Sequence, residues 1–185
     1  TGSSPGFVAR HITGDRPPQG DKYMPGNELG RGGMGLVRSA FDLDLGRRVA
    51  LKSLQEEHSS NSMMVQGLVS EARLTGQLEH PNIIPVYELG MLPDGKLYYS
   101  MKQVKGRHLF DVLHGEDRGE SFGQLRLLNV FQSLCMALSF AHSRGVVHRD
   151  VKPSNVFLTG PNMTPGVKLL DFGIAKFLEY SETRL

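Results

Sequence analysis

Two short segments hold the residues best suited to chemistry: HRDVKPSN, from His148 to Asn155, and DFG, from Asp171 to Gly173. Asp150 offers a carboxylate that can accept or orient a hydroxyl proton, and Lys152 an ammonium that can face a phosphate. Asn155 and Asp171 offer hard oxygen ligands suited to magnesium. Phosphoryl transfer asks for such a set, because its loose transition state needs positioning and charge neutralisation more than strong basicity. No raised pKa at Asp150 is required. Upstream, in order, stand a glycine loop with Gly30, Gly32 and Gly35, then Lys52 in VALK, then Glu71 in SEAR. Each further element in the right order counts against coincidence.

Taken singly, the upstream elements are ambiguous. GxGxxG serves wherever backbone amides must approach phosphate oxygens without a Cβ in the way. A dinucleotide-binding reading needs a helix directly after the glycines, whereas Leu36, Val37 and Arg38 continue a strand. A lysine in a strand is usually a solvated edge residue, so Lys52 gains meaning only with a partner carboxylate. The following helical segment carries carboxylates, Glu71 inside it and Glu79 nearer its end, where it reads as solvent-facing. The histidines other than His148 (His11, His58, His80, His108, His114 and His142) show no ligand spacing and read as surface or helix-cap residues, and no zinc-type Cys/His pattern is present.

From about Tyr23 onward, GRGGMGLV, HRDVKPSNV and DFGIAK together resemble the protein kinase family, and are most similar to the eukaryotic-like serine/threonine kinases of bacteria. The resemblance implies a Mg-ATP-dependent phosphoryl transfer to serine or threonine hydroxyls of a protein substrate. It implies that Lys52 reaches the nucleotide phosphates and pairs with Glu71, that Asp150 and Lys152 serve the transferring group, and that Asn155 and Asp171 hold Mg2+. Val37 and Ala50 would line the nucleotide, Met101 would occupy the gatekeeper position, and backbone groups of Lys102 to Val104 would hold adenine. Lys102 departs from the acidic residue more usual there. By the same resemblance His148 is structural, and Arg149 marks an activation loop that phosphorylation can order, with Ser181 and Thr183 as possible sites. Similar bacterial kinases form homodimers through the small lobe. The contrasting reading is a non-catalytic nucleotide-binding or interaction module.

The elements that must position these groups fall into two runs. Short β-type segments come first: residues 36–41 and 47–54 flank a turn at Asp44 to Gly46, and IIPVYELG and KLYYSMKQV flank Pro93-Asp94-Gly95. Between them a helix is expected over roughly residues 62–78, with Met64, Leu68, Ala72, Thr75 and Leu78 near one face and Pro81 ending it. Gly67 and Gly76 make it weak on propensity alone. From Gly106 the pattern becomes helical: a short helix near Leu109 to Leu113, then a long one from Ser121, with Gln124 at capping-box spacing. Leu127, Val130, Phe131, Leu134, Leu138 and Ala141 recur on one side, and Gly145 closes it. Strand fragments follow at Val146-Val147, Val156 to Leu158 and Val167 to Leu170. Sheet first and helices second predict an α+β fold with two lobes and a cleft between them. The expected division is a flexible leader over 1–20, a nucleotide-binding small lobe over 21–103, and a partial large lobe over 104–185.

Composition narrows the classes. The 185 residues are 39% hydrophobic and 22% charged, with a formal net charge of +2 and basic residues scattered along the chain, which disfavours nucleic acid. The single cysteine, Cys135, cannot form an internal disulfide and reads as a buried helix residue. No run is apolar enough to span a bilayer, so the chain reads as cytoplasmic, with any anchor outside it. The chain ends twelve residues past Gly173, within what the family uses as its activation segment. The resemblance therefore implies that the underside of the long helix lies open and that these residues alone transfer phosphate weakly.

Overall fold

The computed structural model describes residues 22–33, 35–114, 123–159 and 166–172. Among them the strands form two antiparallel sheets. The larger comprises β1 (Tyr23–Arg31), β2 (Gly35–Asp42), β3 (Arg47–Leu54), β4 (Val86–Met91) and β5 (Leu97–Lys102), ordered β1-β2-β3-β5-β4. The smaller comprises β6 (Gly106–His108), β7 (Val156–Thr159) and β8 (Gly166–Leu169), in that order. Three helices accompany them: α1 (Ser62–Gly76), α2 (Leu109–His114) and α3 (Gln124–Ser143).

Local chemistry explains the joints. In the β2–β3 turn, buried Asp42 accepts the backbone N–H groups of Asp44 and Leu45, both at 3.1 Å, and Gly46 takes the left-handed φ of 64° that completes it. Gly95, with φ 82°, does the same between β4 and β5. Asn61 caps α1 by accepting from Met63 and Met64, and α1 buries Gly67, Leu68, Glu71, Ala72 and Thr75. Leu68 and Ala72 pack on Leu54 and Tyr99 of the sheet, with Met64, Val65, Val86 and Met101 around them. A carboxylate in the middle of that apolar stripe is the anomaly that the site explains.

The second core gathers Leu109, Val130, Leu134, Ala137 and Ala141 around Val156, Leu158, Val167, Leu169 and Phe172. A parallel bridge from Ile83 to Leu169 and the Leu169 N–H on the Asn82 carbonyl, at 2.7 Å, join the two parts just ahead of Asp171.

Several expectations need correction. The long helix begins at Gln124 with Gly123 as its N-cap and no side-chain cap, while Ser121 lies outside the described residues. Its buried stripe runs Val130, Leu134, Ala137 and Ala141, which leaves Phe131 65% exposed and Cys135 exposed, on the flank one helical step away. Cys135 is therefore not a core residue. Leu125, Leu128 and Met136 are exposed as well, so the open apolar side expected of this helix is present. Ile83 and Ile84 precede β4, because Pro85 breaks the ladder, although its carbonyl accepts from Lys102. Val146 and Val147 form no strand; the Val146 N–H instead closes α3 on Ala141. Gly106 opens a strand, β6, rather than a helix. His108 is half-buried and edge-on to Phe157, and His80 accepts the Asn82 N–H, so neither is a plain surface residue.

Candidate active site

Lys52 sits on central strand β3, where register places it opposite Val37 on β2 and Tyr99 on β5. Ala50 lies two residues along on the same face, opposite Ser39 and Met101. Val37, Ala50, Lys52 and Met101 therefore line one side of the sheet, the side that α1 partly covers. Lys52 Nζ lies 2.8 Å from Glu71 Oε1 and 2.5 Å from Asp171 Oδ1. Tyr99 donates its hydroxyl to the same Glu71 oxygen at 2.9 Å. Burial alone would push the Lys52 ammonium down, but Glu71 and Asp171 together outweigh it and hold it above the ordinary lysine range. Burial pushes the Glu71 carboxyl up, and Lys52 pulls against that rise.

The glycine loop closes over this lysine. A Cβ added at Gly35 would lie 3.4 Å from Lys52 Cε, whereas at Gly30 and Gly32 it would meet nothing within 4 Å, so the loop presents bare backbone to open space. Gly32 donates its N–H to the Gly35 carbonyl at 2.9 Å. Gln55 reaches up from the end of β3 to the Gly32 carbonyl, and Arg31 holds the Gln55 side chain at 3.0 Å. Beyond β5, Gln103 accepts from Ser39 at 3.0 Å and ties the segment Lys102 to Val104 to β2.

Across the cleft, His148 is 1% exposed and organises the loop. Its Nδ1 accepts the Asp150 N–H at 3.3 Å, so Nε2 carries the proton and donates to the Leu170 carbonyl at 2.8 Å. Burial lowers its pKa, which keeps the ring neutral. The ring also stacks 4.6 Å from Phe172, and Leu170 donates to the Asn155 carbonyl at 2.9 Å. The loop bearing Asp150 and the segment bearing Asp171 are thus one assembly. Two non-glycine residues in it, Arg149 (φ 62°) and Asp171 (φ 52°), adopt left-handed backbone, a strain that persists only where surroundings enforce it.

Asn155 donates through Nδ2 to the Asp150 carbonyl at 2.8 Å and to Asp150 Oδ2 at 3.0 Å. Lys152 Nζ lies 2.8 Å from that same carboxylate oxygen. These donors, Lys152 foremost, hold the Asp150 carboxyl below its ordinary range, so it is ionised at neutral pH. The structure thus brings together Lys52, Glu71 and Asp171 in one cluster and Asp150, Lys152 and Asn155 in another. Gly173, Ser181 and Thr183 lie outside the described residues. Sequence reasoning missed Tyr99, Gln55 and the Ser39–Gln103 pair. Only Tyr99 had a usable signal, a phenol opposite Lys52 once β3 and β5 are paired.

The protein kinase domain model matches residues 23–184 of the chain. Among curated proteins, the chain is 34% identical over 174 residues to serine/threonine-protein kinase PknD of Protochlamydia amoebophila, covering 89% of this chain and 17% of that protein. It is 38% identical over 159 residues to serine/threonine-protein kinase PknB of Mycobacterium tuberculosis, covering 84% of this chain and 24% of that protein. The crystal structure of the Mycobacterium tuberculosis PknI kinase domain superposes with a TM-score of 0.66 at 30% identity, over 87% of this chain and 64% of that one. The chain thus spans a quarter or less of these curated relatives. With the motif order, the two-sheet architecture and the family match in agreement, the chain belongs to the protein kinase domain family.

Proposed function

We propose that the chain is the nucleotide-holding and catalytic-loop portion of an ATP-dependent protein serine/threonine kinase. The observation that carries this reading is the Lys52 ammonium held between Glu71 and Asp171, which aims one fixed cation at the cleft under the glycine loop. In this reading residues 21–103 hold the nucleotide, with Gly30, Gly32, Gly35, Val37, Ala50 and Met101 around it and the backbone of Lys102 to Val104 at its base. Residues from 104 onward supply the chemistry.

The residues fit magnesium. Asn155 spends its side-chain N–H groups on Asp150, which leaves its side-chain Oδ1 for a cation, and Asp171 keeps a second carboxylate oxygen beyond the one on Lys52. A magnesium ion bound there supplies charge neutralisation on the phosphates. Asp150 accepts the proton of a substrate hydroxyl, whose oxygen bonds to the γ-phosphorus as the bond to the bridging oxygen of the leaving ADP breaks. Lys152 balances charge on the group in transit. It is the serine/threonine-type feature of the loop. A cytoplasmic setting and a homodimer through the small lobe belong to the same reading; edge strand β4, which exposes Tyr87, Leu89 and Met91, is where the dimer is first sought.

Thermal unfolding with and without Mg-ATP tests the reading, beside a Lys52→Met, Asp171→Asn double variant. A magnesium-dependent rise in Tm that the variant loses is expected; no rise in the native chain sinks the proposal. Phosphate transfer to a serine/threonine peptide then separates the kinase from a binding module, which gives the same rise and no transfer. Exposed Leu125, Leu128, Phe131 and Met136 on α3 form an apolar surface of the kind that draws a protein into association, so weak transfer by the chain alone is expected.

A further inference from the structure

Tyr99 is a buried phenol, 3% exposed, in the middle of β5, and among the described residues its hydroxyl reaches into the ion-pair cluster. A buried tyrosine needs a partner for its O–H, and here the partner is a charged one, Glu71 Oε1 at 2.9 Å. Glu71 leans on that donor. It is 2% exposed, its Oε2 has no hydrogen-bond partner among the described residues, and Oε1 is shared by Lys52 and Tyr99 alone. Lys52 is itself divided, because Asp171 Oδ1 lies closer to Nζ than Glu71 does. A nucleotide phosphate would divide it further.

The two donors differ in kind. Lys52 is a flexible stem, whereas Tyr99 is a rigid ring fixed between Lys52 and Leu89 in the strand register and packed on Leu68 and Ala72 of α1. Helix α1 contains Gly67 and Gly76 and so carries little intrinsic stiffness. Its position depends on what grips it. We propose that Tyr99 is a positioning residue that locks Glu71, and with it α1, against the central sheet, so that the Lys52 partner stays in place while Lys52 engages phosphate. The inference rests on the nucleotide-binding reading above, which it deepens.

The consequence is a binding effect rather than a chemical one. Without the phenol, α1 spends part of its time displaced, and the apparent Mg-ATP affinity falls by that fraction, while saturating nucleotide restores the paired state. Calorimetric titration of Mg-ATP into the native chain, Tyr99→Phe, Glu71→Leu, which has no acceptor for the phenol, and the double variant reads this directly. The expected result is a roughly tenfold weaker affinity for Tyr99→Phe, from one charge-assisted hydrogen bond, and less than a twofold further loss when it is added to Glu71→Leu. In a longer form that transfers phosphate, KM for ATP rises by the same factor and kcat holds.

Equal affinity in native and Tyr99→Phe, or the same loss in both backgrounds, overturns the proposal, since a tyrosine that only fills space acts independently of Glu71. If Tyr99→Phe does not fold, Tyr99→Met fills the position without a donor and is read in the same cycle. Thermal unfolding of the four proteins without nucleotide separates the two claims. Non-additive Tm shifts there, with no Mg-ATP binding in the native chain, support the Tyr99 lock and sink the nucleotide reading; additive shifts sink the lock.

Discussion

The side chains of Lys52 and Glu71 are 9% and 1% exposed, whereas those of Asp150, Lys152 and Asp171 are 50%, 52% and 46% exposed. On the sheet side, charges sit inside packing: β3, β5 and α1 close around one ion pair, and the apolar cluster of Leu54, Leu68, Ala72 and Tyr99 surrounds it. On the loop side, charges sit in water, and backbone geometry does the holding, through His148, Asn155 and the left-handed Arg149 and Asp171. Stability and function are therefore coupled on the sheet side and separable on the loop side. A buried charge cannot be removed without stranding its partner; an exposed one can.

Two substitutions are the most direct way to break that contrast. Lys52→Met leaves Glu71 uncompensated in the core, so it is expected to abolish ATP turnover in the intact kinase and also to lower the stability of this chain by about 3 kcal/mol or more, read by urea unfolding. Asp150→Asn keeps the shape of an exposed side chain. It is expected to cut phosphate transfer by a longer, active form about 10²–10⁴-fold while stability stays within about 0.5 kcal/mol of native. If the two variants unfold alike, the division drawn here is wrong.

Much of this was legible because it is local. The strand Arg47–Leu54 coincides with RRVALKSL, Gly46 and Gly95 take the turns, and Lys52 meets both Glu71 and Asp171 in space. What failed is non-local. Periodicity on α3 put Phe131 on the core side and Cys135 with it, because an apolar residue at a flank looks like one at the centre until the neighbouring elements are known. Strand β6 is three residues long and exists only because Gly106, Arg107 and His108 pair with β7, fifty residues later. Tyr99 reads as one more β-former in KLYYSMKQV. Its role needs both the β3–β5 register and the packing of α1.

Gly106 offers a sharper test of the loop side, at intermediate size. A Cβ there would sit 1.9 Å from the Leu158 carbonyl oxygen, so backbone must move, not merely a flexible side chain. Leu158 lies on β7, the strand that follows Asn155. Gly106→Ala is expected to cost roughly 3 kcal/mol and to reduce transfer by displacing Asn155, while Lys52, on the other sheet, and Glu71, on α1, keep their pairing. Loss of the magnesium-independent part of nucleotide binding in this variant would mean that the two sides are less separate than their burial implies.

The smallest expected effect lies at His148, the one buried titratable group among the described residues of the loop side. Its pKa in the folded chain is lowered from the ordinary 6.5, chiefly by burial. Above 6.5 the ring is neutral in both folded and unfolded chains, and the contribution to stability is complete. As pH falls below 6.5 the unfolded chain takes the proton first, so stability is lost progressively until the folded ring also titrates, at no more than about 1.4 kcal/mol per pH unit. Glu71 runs the other way, since a carboxyl raised by burial holds its proton longer in the folded chain and stabilises it more as pH falls. His80, also lowered by burial and by Lys168, acts with His148. Comparing urea midpoints of the native chain and His148→Leu between pH 7.5 and 5.5 cancels Glu71 and His80, which are common to both. The native chain is expected to lose more stability over that range than the variant does. Parallel curves would mean that the loop opens enough to let His148 take its proton while folded, and that the assembly joining Asp150 to Asp171 is looser than its hydrogen bonds indicate.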